Sequence, residues 1–197
     1  ILNALYPGVK QTITSPEEVK AILDKLGYDS IQAMIVGERG NLSNTALNNL
    51  SIAKEMELDG KDKRVIRIAT GWERGFDKKW RYEVPDLKMK DLKKSDLSSK
   101  ITNNEPILLK DLLLASKKEN IFSVYGDKVA NIKVFIQSGN KLSGYDGDTI
   151  TLNVPTDWDI YDSDVQKKID SILSHEIQHV IQNIENFSRG SNPGISS

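Results

Sequence analysis

Hydrophobic positions follow a helical period in some stretches of the chain and the two-residue strand period in others. Ser15, Pro16 and Glu18 form a helix start, Val19, Ile22, Leu23 and Leu26 make an apolar stripe, and Gly27 suits the C-terminal cap. A second helix is predicted over Asn44–Leu58, with Ala46, Leu50, Ala53 and Met56 or Glu57 near one face. A short third one is predicted over Lys63–Ala69, although Val65-Ile66-Arg67-Ile68 also reads as a strand. From Trp80, the alternation of Trp, Tyr and Val with Arg and Glu is the period of a half-buried strand. Residues 86–104 lack a strong pattern and read as a surface linker or an arm packed on the domain. Pro106 then opens an apolar helix over Leu108–Ala115. Strands over Ile132–Ser138 and Thr149–Val154 flank a Gly/Asp-rich turn, as an antiparallel hairpin would. Asp162–Asp164 cap a long final helix from about Val165 to Asn186.

These elements give an α+β chain: a helical N-terminal half, a small antiparallel sheet, and a C-terminal helix packed against it. One domain is expected over 1–193. It would comprise a helical segment ending in a Trp-rich strand (1–86), a linker (87–104) and a C-terminal half (105–193). The Trp-rich stretch reads as a packing corner before it reads as a ligand surface. The chain starts at Ile1 and its first methionine is Met34, so it is expected to be a piece of a longer protein.

Composition removes several functions. The net charge of −1 argues against non-specific nucleic-acid binding, which needs an excess of Lys and Arg. No apolar run has the length of a membrane span and no signal peptide is visible, so a cytoplasmic setting is expected. There is no cysteine, so any zinc must be held by His, Asp or Glu.

Candidate chemistry lies on the final helix, in His175-Glu176-Ile177-Gln178-His179. Histidines four residues apart lie one turn apart on a helix face, within reach of one ion at the ~2.0–2.1 Å of a Zn–N bond. Glu176 is rotated ~100° from His175 and can act on water without being a ligand. Zinc lowers the pKa of a water toward ~7. Glu176 can take that proton, direct the water at a carbonyl and return the proton to the leaving amine. Ile169, Ile172, Leu173, Ile177, Val180, Ile181 and Ile184 fill a broad apolar arc, which leaves one polar strip for chemistry.

A catalytic zinc needs a third protein ligand, and the chain has no third histidine. Glu185 stands ten residues after His175, at the offset of the last ligand in the HExxHxxGxxH pattern. Gln182 occupies the Gly position of that pattern. An unbroken helix would carry Glu185 ~9 Å along the axis from His179. Ligation by Glu185 therefore requires the helix to end near Gln182 or Asn183, or to bend. Its bland role is an ordinary acid in the last turn or a hydrogen-bond partner of a histidine. Asp157, Asp159 and Asp162 are reserves, each more simply a turn or cap residue. Tyr145 and Arg189 are the candidate donors to a developing oxyanion.

The string SHEIQHVIQNIENFSRGSNP (174–193) resembles the end of a domain of large polyvalent proteins of phages and conjugative elements. There a HE-hydrophobic-QH motif is followed by a Glu, an aromatic residue and Arg-Gly. TGWERGFDKKWRYEVPD (70–86) is similar to that family's Trp-rich segment, and LLKDLLL (108–114) and GYDGDTITLN (144–153) to intervening blocks. DKKW departs from the family's frequent Asp-Gly-Lys-Trp. The resemblance implies a zincin-like metallopeptidase within a multidomain protein that travels with mobile DNA. Host cytoplasm or virion would be its setting, and the rest of the parent polyprotein and a protein or peptide substrate its partners. It places His175, Glu176 and His179 in the metal and base roles, with Glu185 on the family's Glu. The alternative is a catalytically silent structural or interaction module.

Overall fold

In the computed structural model, the described residues are 33–90, 94–115 and 117–188. The helix expected at Ser15–Gly27 lies outside them. Two compact units make up the chain: residues up to Glu83 together with those from Phe187 onward, and Val84–Asn186.

The first unit starts with strand β1 (Ala33–Gly37), whose Met34, Ile35 and Val36 are buried. Helix α1 (Asn44–Leu58) has the expected bounds; Ser43 caps it by accepting from Ala46 N at 3.1 Å. It buries Ala46, Leu50, Ala53 and Met56, the stripe anticipated from the sequence. Helix α2 (Lys63–Thr70) settles the ambiguous 63–69 stretch as helical, because Asp62 caps its start and Gly71 closes it at φ 78°. Strands β2 (Trp72–Arg74) and β3 (Trp80–Pro85) form an antiparallel hairpin, and β1 completes a three-stranded sheet in the order β1-β3-β2.

The Trp-rich stretch is a packing corner. Trp72 is fully buried, donates from Nε1 to Ala46 O at 2.8 Å, and stacks on Tyr82 with ring centroids 4.9 Å apart. Arg81, 2% exposed, makes a two-pronged pair with Asp77 at 2.7 and 2.8 Å and lies 4.0 Å over the Phe187 ring. Asp77 also accepts from Ser188 N at 2.9 Å. The hydrogen bonds from Arg81 are the main reason its carboxyl sits well below the usual carboxylate range. A glycine must precede this pair in the loop: a Cβ on Gly75 would sit 2.0 Å from Arg81 Nη1.

The second unit holds the rest. Residues 86–104, read as a linker or a packed arm, carry strand β4 (Lys88–Met89) and helix α3 (Lys94–Thr102), with Leu87 and Leu97 buried as in a packed arm. Strand β4 is too short to show a period, and α3 carries only Leu97 and Ile101 as apolar residues among polar ones. The helix expected over Leu108–Ala115 is also corrected. Strand β5 (Ile107–Leu108), one helical turn α4 (Leu109–Leu112) and strand β6 (Leu113–Leu114) divide it, and β6 pairs antiparallel with β4. A short apolar run fits either structure, and here pairing decides. Short helices α5 (Ile121–Tyr125) and α6 (Asp127–Ala130) follow.

Strands β7 (Lys133–Ser138) and β9 (Thr149–Val154) occur where expected, but they pair in parallel instead of as a hairpin. Alternation fixes which side chains share a face and says nothing about strand direction. The intervening chain lays strand β8 (Gly144–Tyr145) antiparallel on the far side of β9, giving the order β5-β7-β9-β8. Asp146 makes the return turn by accepting from Asp148 N and Thr149 N, with Gly147 at φ 101°. Helix α7 (Ser163–Glu185) packs on β4, β8 and β9. The architecture is α+β with small, largely antiparallel sheets, and none of the described helices is long and apolar enough to cross a membrane.

The buried Arg81–Asp77 pair yields a prediction. Arg81→Ala leaves the half-buried Asp77 carboxylate without its partner and should destabilise its unit by about 1–3 kcal/mol, read from the denaturant midpoint. Because Asp77's folded pKa is depressed, the pair's contribution is full above the unfolded value near 3.8 and fades as pH falls below it. The gap between wild type and Arg81→Ala should therefore narrow in acid.

Candidate metal centre

Helix α7 positions the site. Asp162 caps it, accepting from Asp164 N at 2.9 Å and Val165 N at 3.1 Å. Asp159 accepts from Tyr161 N in the preceding turn, so two of the reserve aspartates serve as cap and turn residues. Ile169, Leu173, Ile177, Val180 and Ile181 are each at most 2% exposed, worth roughly 1.5–3 kcal/mol apiece on burial. At 100° per residue, these side chains and the buried Glu176, Gln178, Gln182 and Glu185 sweep most of the helix circumference. The strip left at the surface carries Lys168, His175, His179 and Asn183.

On this strip the two histidines converge. His175 Nε2 and His179 Nε2 are 3.1 Å apart, with the rings edge-to-face at a centroid distance of 4.6 Å. Two ligands on one tetrahedral ion with ~2.0–2.1 Å bonds lie ~3.3–3.4 Å apart, so the pair fits an ion as two of its ligands. His179 turns its other nitrogen, Nδ1, toward Gln182 Oε1 at 3.0 Å. Glu176, 5% exposed, lies ~60° around the helix from His179 and ~100° from His175.

The remaining candidates fall as follows. Tyr145, on β8, donates its hydroxyl to Gly147 O at 2.8 Å and receives a hydrogen bond from the Asn183 side chain. Asn183 is one turn beyond His179 on the same strip, so the fold brings Tyr145 to the histidine face. Burial is the main cause that pushes the Tyr145 hydroxyl above its ordinary pKa, which keeps it a neutral donor.

Glu185 is elsewhere. The helix continues through Gln182 without a break and ends only at Asn186 (φ 56°), so the bend that ligation required is absent. Glu185 is buried and accepts from the Tyr125 hydroxyl at 2.8 Å. Among the described residues, no three His, Asp or Glu side chains cluster closely enough to hold a metal ion. Arg189 lies outside the described residues.

Gln182 and Tyr125 escaped the sequence reading. Gln182 was weighed only as a replacement for a glycine, although its i+3 offset from His179 signals a possible contact. Tyr125 is 60 residues from Glu185, and no local pattern could join them. Asp86 was missed as well. Its Oδ1 is buried without a hydrogen-bond partner among the described residues. Burial, and then the charge of Asp170, push its carboxyl up to about 6, while a hydrogen bond from Ser174 opposes the shift. Asp170 itself accepts from Met89 N at 3.0 Å and is raised by burial.

The described chain is thus an α+β protein with a histidine pair, His175 exposed and His179 half-buried, on a mostly buried helix. Residues 33–93, less than a third of the chain, match the family model described as large polyvalent protein associated domain 23. This match associates the chain with large polyvalent proteins. It covers β1 to β4, including the Trp-rich hairpin, and stops before α7. No curated protein matches the chain, and no solved structure does.

Asp86 supplies a test of the surroundings of α7. Its folded pKa exceeds the unfolded one, so ionisation costs stability as pH rises through about 6, and the cost vanishes below the unfolded value near 3.8. Allowing for the water that reaches the group, Asp86→Asn should stabilise the protein by roughly 1–2 kcal/mol at pH 8 and by nearly nothing at pH 3.5. Urea melts at the two pH values measure it.

Proposed function

We propose that the chain is a zincin-like, zinc-dependent peptidase domain of a large polyvalent protein, with its chemistry on the exposed strip of α7. The observation that carries this reading is the convergence of His175 Nε2 and His179 Nε2 at 3.1 Å beside Glu176. His175 and His179 would hold the zinc, whose chemistry is to act as a Lewis acid and make water reactive near neutral pH. Glu176 then takes a proton from the attacking water and delivers it to the departing amine. The neutral Tyr145 hydroxyl, held through Asn183 one turn beyond His179, would turn its single proton from Gly147 O to the developing oxyanion.

An extended substrate of such a peptidase would pair with an exposed sheet edge, which neither Lys133–Ser138 nor Thr149–Val154 offers. Both strands are interior in the order β5-β7-β9-β8, which makes β8 the edge beside α7. Glu185, tied to Tyr125, supports the helix from inside the core.

A second reading, a silent interaction module of the polyvalent protein, draws on two observations. No third ligand accompanies the histidines among the described residues, and the matched segment ends before α7. Glu176→Gln separates the two. The peptidase reading predicts that wild-type protein with added zinc cleaves an unfolded polypeptide, and that Glu176→Gln keeps its zinc while turnover falls about 10²–10⁴-fold. Equal cleavage by both proteins would refute the role of Glu176. No cleavage by either favours the interaction module.

A further inference from the structure

We propose that Gln182 is the positioning residue of the histidine pair: its side-chain carbonyl fixes His179 in the Nδ1–H tautomer and so presents the Nε2 lone pair to a metal. The inference rests on the reading of His175 and His179 as a metal pair, and adds to it the residue that prepares one of them.

The argument follows from a directed chain of three groups. Gln182 Oε1 has only lone pairs to offer, and it lies 3.0 Å from His179 Nδ1. For this contact to be a hydrogen bond, Nδ1 must carry the proton. A neutral imidazole has one N–H, so His179 Nε2 is then the unprotonated nitrogen. That nitrogen faces His175 Nε2 at 3.1 Å, a distance at which two bare lone pairs would repel. His175 must therefore donate from Nε2 in the metal-free protein. The two histidines hold opposite tautomers, set from one end by the amide.

This makes the two ligands unequal. His179 already exposes the lone pair a metal ion needs, whereas His175 must move its proton to Nδ1 or release it. Gln182 can impose the bias because it is itself held: it is 9% exposed at the margin of the histidine strip, and Gln182 and His179 are three residues apart, on adjoining turns. Removing a hydrogen-bond partner that orients a ligating histidine typically costs 10–100-fold in metal affinity.

The test uses the whole chain and three proteins: wild type, Gln182→Met, which keeps the shape but loses the acceptor, and Gln182→Glu, which retains one. Imidazole ¹⁵N spectra of metal-free protein at pH 8 report each tautomer, and zinc titration reports affinity. The expected result is His179 as Nδ1–H in wild type and Gln182→Glu and as a mixture in Gln182→Met, with zinc binding 10–100-fold weaker only in Gln182→Met. Thermal melting confirms that each variant is folded. An Nε2–H His179 in wild type, or an unchanged tautomer in a folded Gln182→Met, overturns the proposal. If the tautomer follows Gln182 but wild type binds no zinc, the positioning of His179 stands and the metal reading falls.

Discussion

The candidate site depends on how α7 divides its surface. Five aliphatic side chains from Ile169 to Ile181 are buried almost completely, and Gln178, Gln182 and Glu185 are buried with them. Most of the circumference is thereby committed to packing on β4, β8 and β9, and rotation about the helix axis would expose several of these residues at once. That commitment leaves the strip with His175, His179 and Asn183 at the surface and brings Glu176 and Gln182 to its two margins. Gln182 then has its side-chain oxygen 3.0 Å from His179 Nδ1, on a backbone that packing holds in place. The Asp162 cap at one end and the left-handed Asn186 at the other fix where the helix begins and stops.

The same rigidity accounts for Glu185. An unbroken helix cannot bring residues 175, 179 and 185 to one ion, since the last is ~9 Å along the axis from the second. The structure uses Glu185 for a buried hydrogen bond to Tyr125 instead. Tyr145 shows the reverse: nothing local in its turn points to α7, yet β8 carries it to Asn183.

What was legible in the chain follows from range. The bounds of Asn44–Leu58 and Thr149–Val154 match the periodic segments because a capped amphipathic helix and an alternating strand are local patterns. The histidine pair was legible for the same reason, four residues being one turn. The parallel pairing of β7 with β9 and the splitting of 108–115 into strand, turn and strand were not legible, since pairing partners and directions are set by distant residues. The Trp-rich stretch was readable as packing from its aromatic content, but the need for Gly75 became visible only with Arg81 laid against it. This hairpin lies within the segment that matches the polyvalent-protein domain, so the matched part of the chain is built around a buried ion pair and stacked aromatics, and the histidine helix lies beyond it.

The central claim is that His175 and His179 act together on one metal ion. Elemental mass spectrometry of the purified protein, run beside His175→Ala and His179→Ala, tests it most directly. The account predicts about one zinc per chain in wild type and its loss in both variants. Absence of metal from wild-type protein after zinc is supplied, or full retention by a folded single-histidine variant, would contradict it.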